Sequence, residues 1–224
     1  MHKMMKSKLL VVLLFSASLN LFSQNINWKS LSKEQKHLVS MNIGLDYSTT
    51  LTFGYGYQLN TKLPIVLNAD LSLPFGNKPF DDLKSKLGGQ VEVLSIGDFS
   101  TTAKVYGVFR RYGSENARLL NFGSEFTAVS GYYKPNWHVA GEFGFDKAIV
   151  THVKHGDRMK EYNPSIKDGW YIPTGGNFFY GLQSSYSFGN NDLNLNVGRN
   201  IEQDFKTNNF VPYYLKLGYV RKFI

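Results

Sequence analysis

Two-residue alternation, repeated along most of the chain, constrains this sequence more than any other feature. Within 212–224, Tyr213, Leu215, Leu217, Tyr219 and Phe223 fall at every second position, with Arg221 the one interruption. A period of two marks a β-strand with one apolar face. Nine further segments read the same way, giving ten predicted strands over 39–47, 51–59, 65–73, 89–96, 101–111, 118–130, 137–149, 177–188, 192–200 and 212–223. The fold class is therefore all-β.

The two faces differ in kind as well as polarity. Met41, Ile43, Leu45 and Tyr47 oppose Asn42, Gly44 and Asp46, while Ile65, Leu67, Ala69, Leu71 and Leu73 oppose Asn68, Asp70 and Ser72. Leu120, Phe122 and Phe126 oppose Asn121, Gly123 and Glu125; Val139, Phe143 and Phe145 oppose His138, Glu142 and Asp146. Leu193, Leu195 and Val197 oppose Asn194, Asn196 and Gly198. Segment 89–96 alternates least well, because Leu94 and Ile96 fall on its polar side.

At the other end, Lys3, Lys6 and Lys8 precede an apolar run over 9–15, and Ser16, Ala17, Ser18, Ser23 and Gln24 follow it. A basic start, a short apolar centre and small residues at the exit describe a secretory signal peptide. Asn20 and Gln24 keep the run well short of the about 20 residues of a spanning helix. The expected organisation is a signal peptide over 1–24, cut near Ser23 or Gln24, a periplasmic lead-in over 25–38, and a barrel domain over 39–224. Ser32 and Gln35 are spaced to cap a short helix in the lead-in.

Composition narrows the function classes. With no cysteine, a lipid anchor on Cys, disulfides, thiolate metal sites and Cys nucleophiles are all excluded. The formal charge of +8 falls to +5 without the three leader lysines, and no Lys/Arg run exceeds two, so nucleic acid is not an expected partner. No P-loop, dinucleotide fingerprint or nucleophile elbow occurs, and no cofactor is expected.

Past the leader, no stretch is apolar enough for a spanning helix, so a membrane form must be a closed barrel, because lipid leaves open strand edges unsatisfied. Connections after the third, fifth, seventh and ninth strands are long (74–88, 112–117, 150–176 and 201–211), and those between are tight; only the first outer connection, 48–50, is short. Long outer loops and short periplasmic turns are the bacterial up-and-down pattern. The polar faces are rich in Gly, Asn, Ser and Thr. Aromatics gather near strand ends (Tyr47, Phe53, Tyr55, Tyr57, Tyr132, Tyr133, Trp137, Phe178, Phe179, Tyr186 and Phe188), as interface girdles do. The alternative is a soluble periplasmic lipid-binding barrel with its apolar face inward.

On these features, and on the closing strand, the chain resembles the small outer-membrane β-barrel proteins, the broad OmpA/OmpW-like group, over 39–223. The resemblance implies a transmembrane antiparallel barrel of about ten strands in a Gram-negative outer membrane, in contact with membrane lipid and lipopolysaccharide. Tyr213, Leu215, Leu217, Tyr219 and Phe223 would form the signal read by the barrel-insertion machinery, although Ile224 stands where a terminal aromatic is usual. No peptidoglycan-binding domain follows, so cell-wall anchoring does not carry over. The expected role is non-enzymatic: envelope integrity, surface interaction or narrow-solute passage.

With the apolar face on lipid, Asp46, Asp70, Glu92, Lys104, Glu125, His138, Glu142 and Lys216 face the lumen. Confined charges must pair, so the expectation is an occluding network that holds a narrow barrel rigid. The carboxylates outnumber the bases in this set, and the second reading is a cation-selective or proton-responsive passage.

Two loop features suggest other chemistry. Asp81 and Asp82 in the second outer connection and His155 and Asp157 in the fourth could activate water across the rim, as in an omptin-like outer-membrane hydrolase. His152 and His155 could ligate a metal but have no placed third ligand, so no metal site is assigned. Pro79, Asp81, Asp82, Lys84, Lys86 and Gly88 follow helix start and stop rules, with Phe80, Leu83 and Leu87 on one face, predicting a short rim helix. The connection 150–176, with Trp170 and Tyr171, is the expected site for a surface ligand.

Overall fold

The computed structural model describes residues 25–224 except 77, 174, 208 and 210. The expected signal peptide lies outside the described residues. Eleven strands form: β1 (His37–Leu45), β2 (Thr49–Gln58), β3 (Ile65–Pro74), β4 (Asp82–Ile96), β5 (Phe99–Gly113), β6 (Ala117–Lys134), β7 (Trp137–His155), β8 (Gly169–Tyr171), β9 (Gly176–Phe188), β10 (Asn191–Glu202) and β11 (Tyr213–Phe223). One short helix, α1 (Asp157–Tyr162), precedes β8. All pairings are antiparallel. β1 pairs with β2 on one side and β11 on the other, and β6–β7 and β7–β9 complete a closed ring of ten strands. The small strand β8 pairs with Thr151, His152 and Val153 of β7, extending the wall on the same edge as β9.

The alternation decides which face is which. Leu67, Leu71, Phe122, Phe143 and Leu195 are exposed on the outer surface, and Ile65 is half-buried beside them. Tyr213, Leu215, Leu217, Tyr219 and Phe223 also face outward. Inward lie Asn68, Gln90, Thr102, Thr127, Gln183 and Asn194, all buried. A soluble lipid-binding barrel would have these faces exchanged. From Tyr213 to Phe223 the outer strip runs ten steps of about 3.4 Å. At a tilt of about 40° that is roughly 26 Å of height, matching the apolar band of outer-membrane barrels. At the short-turn end Tyr57, Phe99, Tyr132, Trp137, Tyr186, Phe188, Tyr219 and Phe223 ring the wall; Phe122, Trp170 and Tyr213 lie toward the other end. Tyr47, Tyr133 and Phe179 do not belong to these girdles. Tyr133 is buried inside, and Tyr47 and Phe179 line the lumen.

Two bulges repair the pattern where the sequence breaks it. In β4 the register with β5 shifts between Glu92 and Leu94. The extra residue turns Leu94 and Ile96 outward, where they are exposed. In β7 a second bulge leaves Ile149 unpaired between Ala148, opposite Gly123, and Val150, opposite Phe122.

The predicted rim helix is absent. Asp82 to Gly88 belong to β4, because Leu83 and Leu87, four apart, share a face in a strand as well as in a helix. Strand pairing to β3 and β5 decides between the two, and it turns Lys84 and Lys86 into the lumen. Similarly, β7 continues to His155, so the fourth outer connection is wall up to that point.

Residues 25–36 do not trail away from the barrel. Ile26 and Trp28 are buried with Leu38, Val66, Val129, Tyr133, Ala140 and Val220 in an apolar cluster inside the short-turn end. The Trp28 indole N–H donates to Thr102 Oγ1 at 2.7 Å, and Asn27 Nδ2 donates to the Lys134 carbonyl at 2.9 Å and to Ser187 Oγ at 3.0 Å. The Ser32 N–H donates to Gln35 Oε1 and the Gln35 N–H to the Ser32 carbonyl, forming a turn in place of the predicted helix. The segment stoppers the barrel.

Lys222 on β11 secures it, donating to Ser30 Oγ at 2.8 Å and to Asp192 Oδ1 at 2.9 Å. Lys222 and Asp192 are each only 1% exposed. Lys222→Ala should therefore cost about 3–5 kcal/mol by stranding a buried carboxylate, whereas the pair Lys222→Met with Asp192→Leu should be close to neutral. Urea midpoints of the folded barrel in detergent measure both, and equal losses would show that charge pairing is not what matters there.

Candidate functional site

Above the stopper the lumen widens into a cavity of about 730 Å³ that reaches from Asn25 to the rim residues Leu119 and Glu202. Its wall is largely polar because most inward positions of the upper strands carry an amide, hydroxyl or charge, with Ala148 and Phe179 among the exceptions. Asp46, Asp70, Lys104, Glu125, Glu142 and Lys216 line it. Glu92 and His138 do not. Both belong to the closed end, where Glu92 accepts from Ser100 Oγ at 2.6 Å. His138 stacks on Tyr133 with ring centroids 4.7 Å apart and shares a 2.6 Å hydrogen bond with Ser185.

The charges form one connected belt. Asp46, just past β1, lies 3.0 Å from Lys216 Nζ on β11 and 3.8 Å from Lys84 Nζ on β4. Lys84 also lies 3.7 Å from Asp146 on β7, so this one side chain crosses the lumen between opposite walls. Arg110 on β5 donates to Asn121 Oδ1 at 2.9 Å and pairs with Asp146. Lys86 donates to both Glu125 oxygens, at 2.5 and 2.7 Å. The Tyr214 hydroxyl donates to Glu142 Oε1 at 2.5 Å, and Lys216 and Lys86 sit over the Tyr214 and Tyr106 rings. Gly198 makes room for Tyr214, since a Cβ there would lie 2.2 Å from its hydroxyl oxygen. Lys104 is buried among Glu142, Glu125 and Asp70.

The belt contains residues that the sequence reading did not place in the lumen. Lys84, Lys86, Arg110 and Arg111 join Lys104 and Lys216 on the cavity wall, facing Asp46, Asp70, Asp82, Glu125, Glu142, Asp146 and Glu202. Seven acids and six bases line the cavity, so the carboxylate excess persists but shrinks to one. Lys84 and Lys86 were hidden by helix-like spacing, and Arg110 by the adjacent Arg111, which breaks the alternation there. The paired charges narrow the cavity, and residues 25–36 fill the end of the barrel beneath it.

The hydrolase constellation is not assembled. Asp81 pairs with Arg111 at 3.5 Å, and His155 with Asp168 at 3.0 Å. Asp82 begins β4 and His155 ends β7, with β5 and β6 between them. Three strand spacings separate the two by roughly 14 Å, beyond the reach of one bridging water. Asp157 opens α1 without joining either group. Lys160, with help from the His155 backbone N–H and ring, holds the Asp168 carboxyl below its usual range. His152 and His155 lie three apart on β7 and so point to opposite faces. His152 packs edge-on against Trp170 at 4.9 Å, and no cluster of three metal-ligating side chains occurs among the described residues.

No protein-family model matches the chain, and no curated protein does. Among solved structures, it is similar to a KdgM porin in complex with disordered oligogalacturonate, at 8% identity and a TM-score of 0.42, covering 84% of this chain and 99% of that one.

Proposed function

We propose that this chain is an integral outer-membrane β-barrel without a catalytic role, serving narrow-solute passage through a stoppered, charge-belted lumen. The observation that carries the proposal is the division of faces: an apolar exterior continuous around a closed ring of strands, and an interior lined largely by polar and charged side chains. Lipid on the outside and water within is the environment in which both faces are satisfied. This supports an outer-membrane barrel in the broad sense, without favouring the OmpA/OmpW-like group over other barrels, and a Gram-negative outer-membrane location with the closing strand as the insertion signal. The cavity is small beside the channels of 16- to 18-stranded porins, and its nearly balanced charge suits small polar solutes of either sign. The long outer connection, with exposed Tyr162, Trp170 and Ile172, is the surface best suited to a partner outside the cell.

The folded protein should fractionate with outer membranes and migrate faster on gels before heating than after it. Recovery as a detergent-free monomer in periplasmic extract would overturn the proposal and favour a soluble barrel.

A further inference from the structure

The outer wall carries an arrangement of cations that barrel closure does not explain. Arg118 on β6 and Lys154 on β7 are direct cross-strand partners, and both side chains are exposed. Partners in such a pair have Cβ atoms about 4.5–5.5 Å apart, and like charges there destabilise a sheet. Neither residue has an ion pair among the described residues, and the nearby carboxylates are largely committed. Asp81 is held by Arg111, and Asp168 by Lys160 and His155. Glu115, in the turn between β5 and β6, shares a groove with Arg118.

The rows beneath this pair show what it faces. One step down on the same face, Leu120 pairs with His152, which pairs with Trp170. One further step down, Phe109, Phe122 and Val150 lie side by side, with the Phe109 and Phe122 rings 5.1 Å apart and Phe122 6.1 Å from Trp170. Each row is about 7 Å along the strand. Two adjacent cations, with Glu115, Asp81 and Asp82 in the groove beside Arg118, therefore stand just above an aromatic shelf at the top of the apolar band.

We propose that Arg118 and Lys154 bind a phosphate group of a membrane glycolipid whose acyl chains lie against Phe109, Phe122 and Trp170. A phosphate accepts from both cations at once and removes their repulsion. The shelf selects the source, because free phosphate has nothing to place on an aromatic surface. The inference rests on the outer-membrane reading, since it needs this rim to meet the lipid headgroups.

Native mass spectrometry of the full mature barrel in neutral detergent tests it with three probes: a diphosphorylated lipid A, the same glycolipid stripped of phosphate, and inorganic phosphate. The phosphorylated glycolipid should be retained about tenfold or more better than the stripped one, and Arg118→Gln with Lys154→Gln should remove that advantage. Lys62→Gln, at the opposite rim, should leave it unchanged, and Glu115→Gln should keep or strengthen it. Equal retention of both glycolipids, or full retention by the double variant while it still shows heat-modifiable mobility, overturns the site. Competition by millimolar inorganic phosphate would assign it to a free anion and overturn the glycolipid. A chain that fails to insert into vesicles at all overturns the membrane reading and this site with it.

Discussion

A barrel that begins at residue 37 should conduct ions several-fold better than one that begins at residue 25, which should show little steady current in planar bilayers. The wall does not depend on what would be removed, because every strand pairing lies within 37–223. What is lost is the stopper: Ile26 and Trp28 leave the apolar cluster, and Val66, Val129 and Val220 face water in the lumen. Trp28→Ala gives a graded version. Losing a buried tryptophan costs about 3–5 kcal/mol, here charged to seating of the segment, so frequent transient openings should replace a closed baseline. Equal conductance with and without residues 25–36 would place the barrier in the charge belt.

In that opened barrel, Lys84→Ala should give a clear cation preference in reversal potentials across a KCl gradient. Lys84 lies within 4 Å of both Asp46 and Asp146. Each contact is worth about 4 kcal/mol of attraction at an effective dielectric of 20, before desolvation is subtracted. Removing this cation leaves Asp46 and Asp146 with one cationic partner each, Lys216 and Arg110. The belt then gains net negative charge that attracts permeating cations and loses the side chain that spans the lumen. Asp46→Asn with Asp146→Asn should shift the potential the other way. If all three barrels are equally unselective, the belt does not set the narrowest point.

How much of this was legible follows from what alternation can carry. A one-residue slip exchanges faces, so a run such as Ile65, Leu67 and Leu71 assigns inside and outside to its whole strand. All ten barrel strands emerge, although β4 starts earlier and β7 ends later than alternation alone indicates. Where the chain inserts an extra residue, as between Glu92 and Leu94, the pattern appears broken although the sheet is intact. Where residues are four apart, as Leu83 and Leu87 are, helix and strand predict the same face, and the end signals of a helix mislead. That single ambiguity removed Lys84 and Lys86 from the lumen and so misjudged its charge. Six of the eight sequence-derived lumen residues line the cavity, because facing inward is a one-dimensional property. Which of them meet, as Lys84 meets Asp146 across the barrel, depends on the curvature of the closed ring. The stopper left one faint trace, an isolated Ile26 and Trp28 at strand spacing in an otherwise polar lead-in.

Lys222, whose contact with Ser30 fixes the stopper, gives barrel assembly an order in time. The residues it holds come before the first strand, and it belongs to the last, so the two ends of the chain, 192 residues apart, meet at this point. Until β11 has paired with β1, the early segment has no anchor on that side and Val220 is missing from its socket. The step that joins the first and last strands therefore also completes the socket in which the early segment is seated, so plugging of the barrel is expected to come last in its assembly.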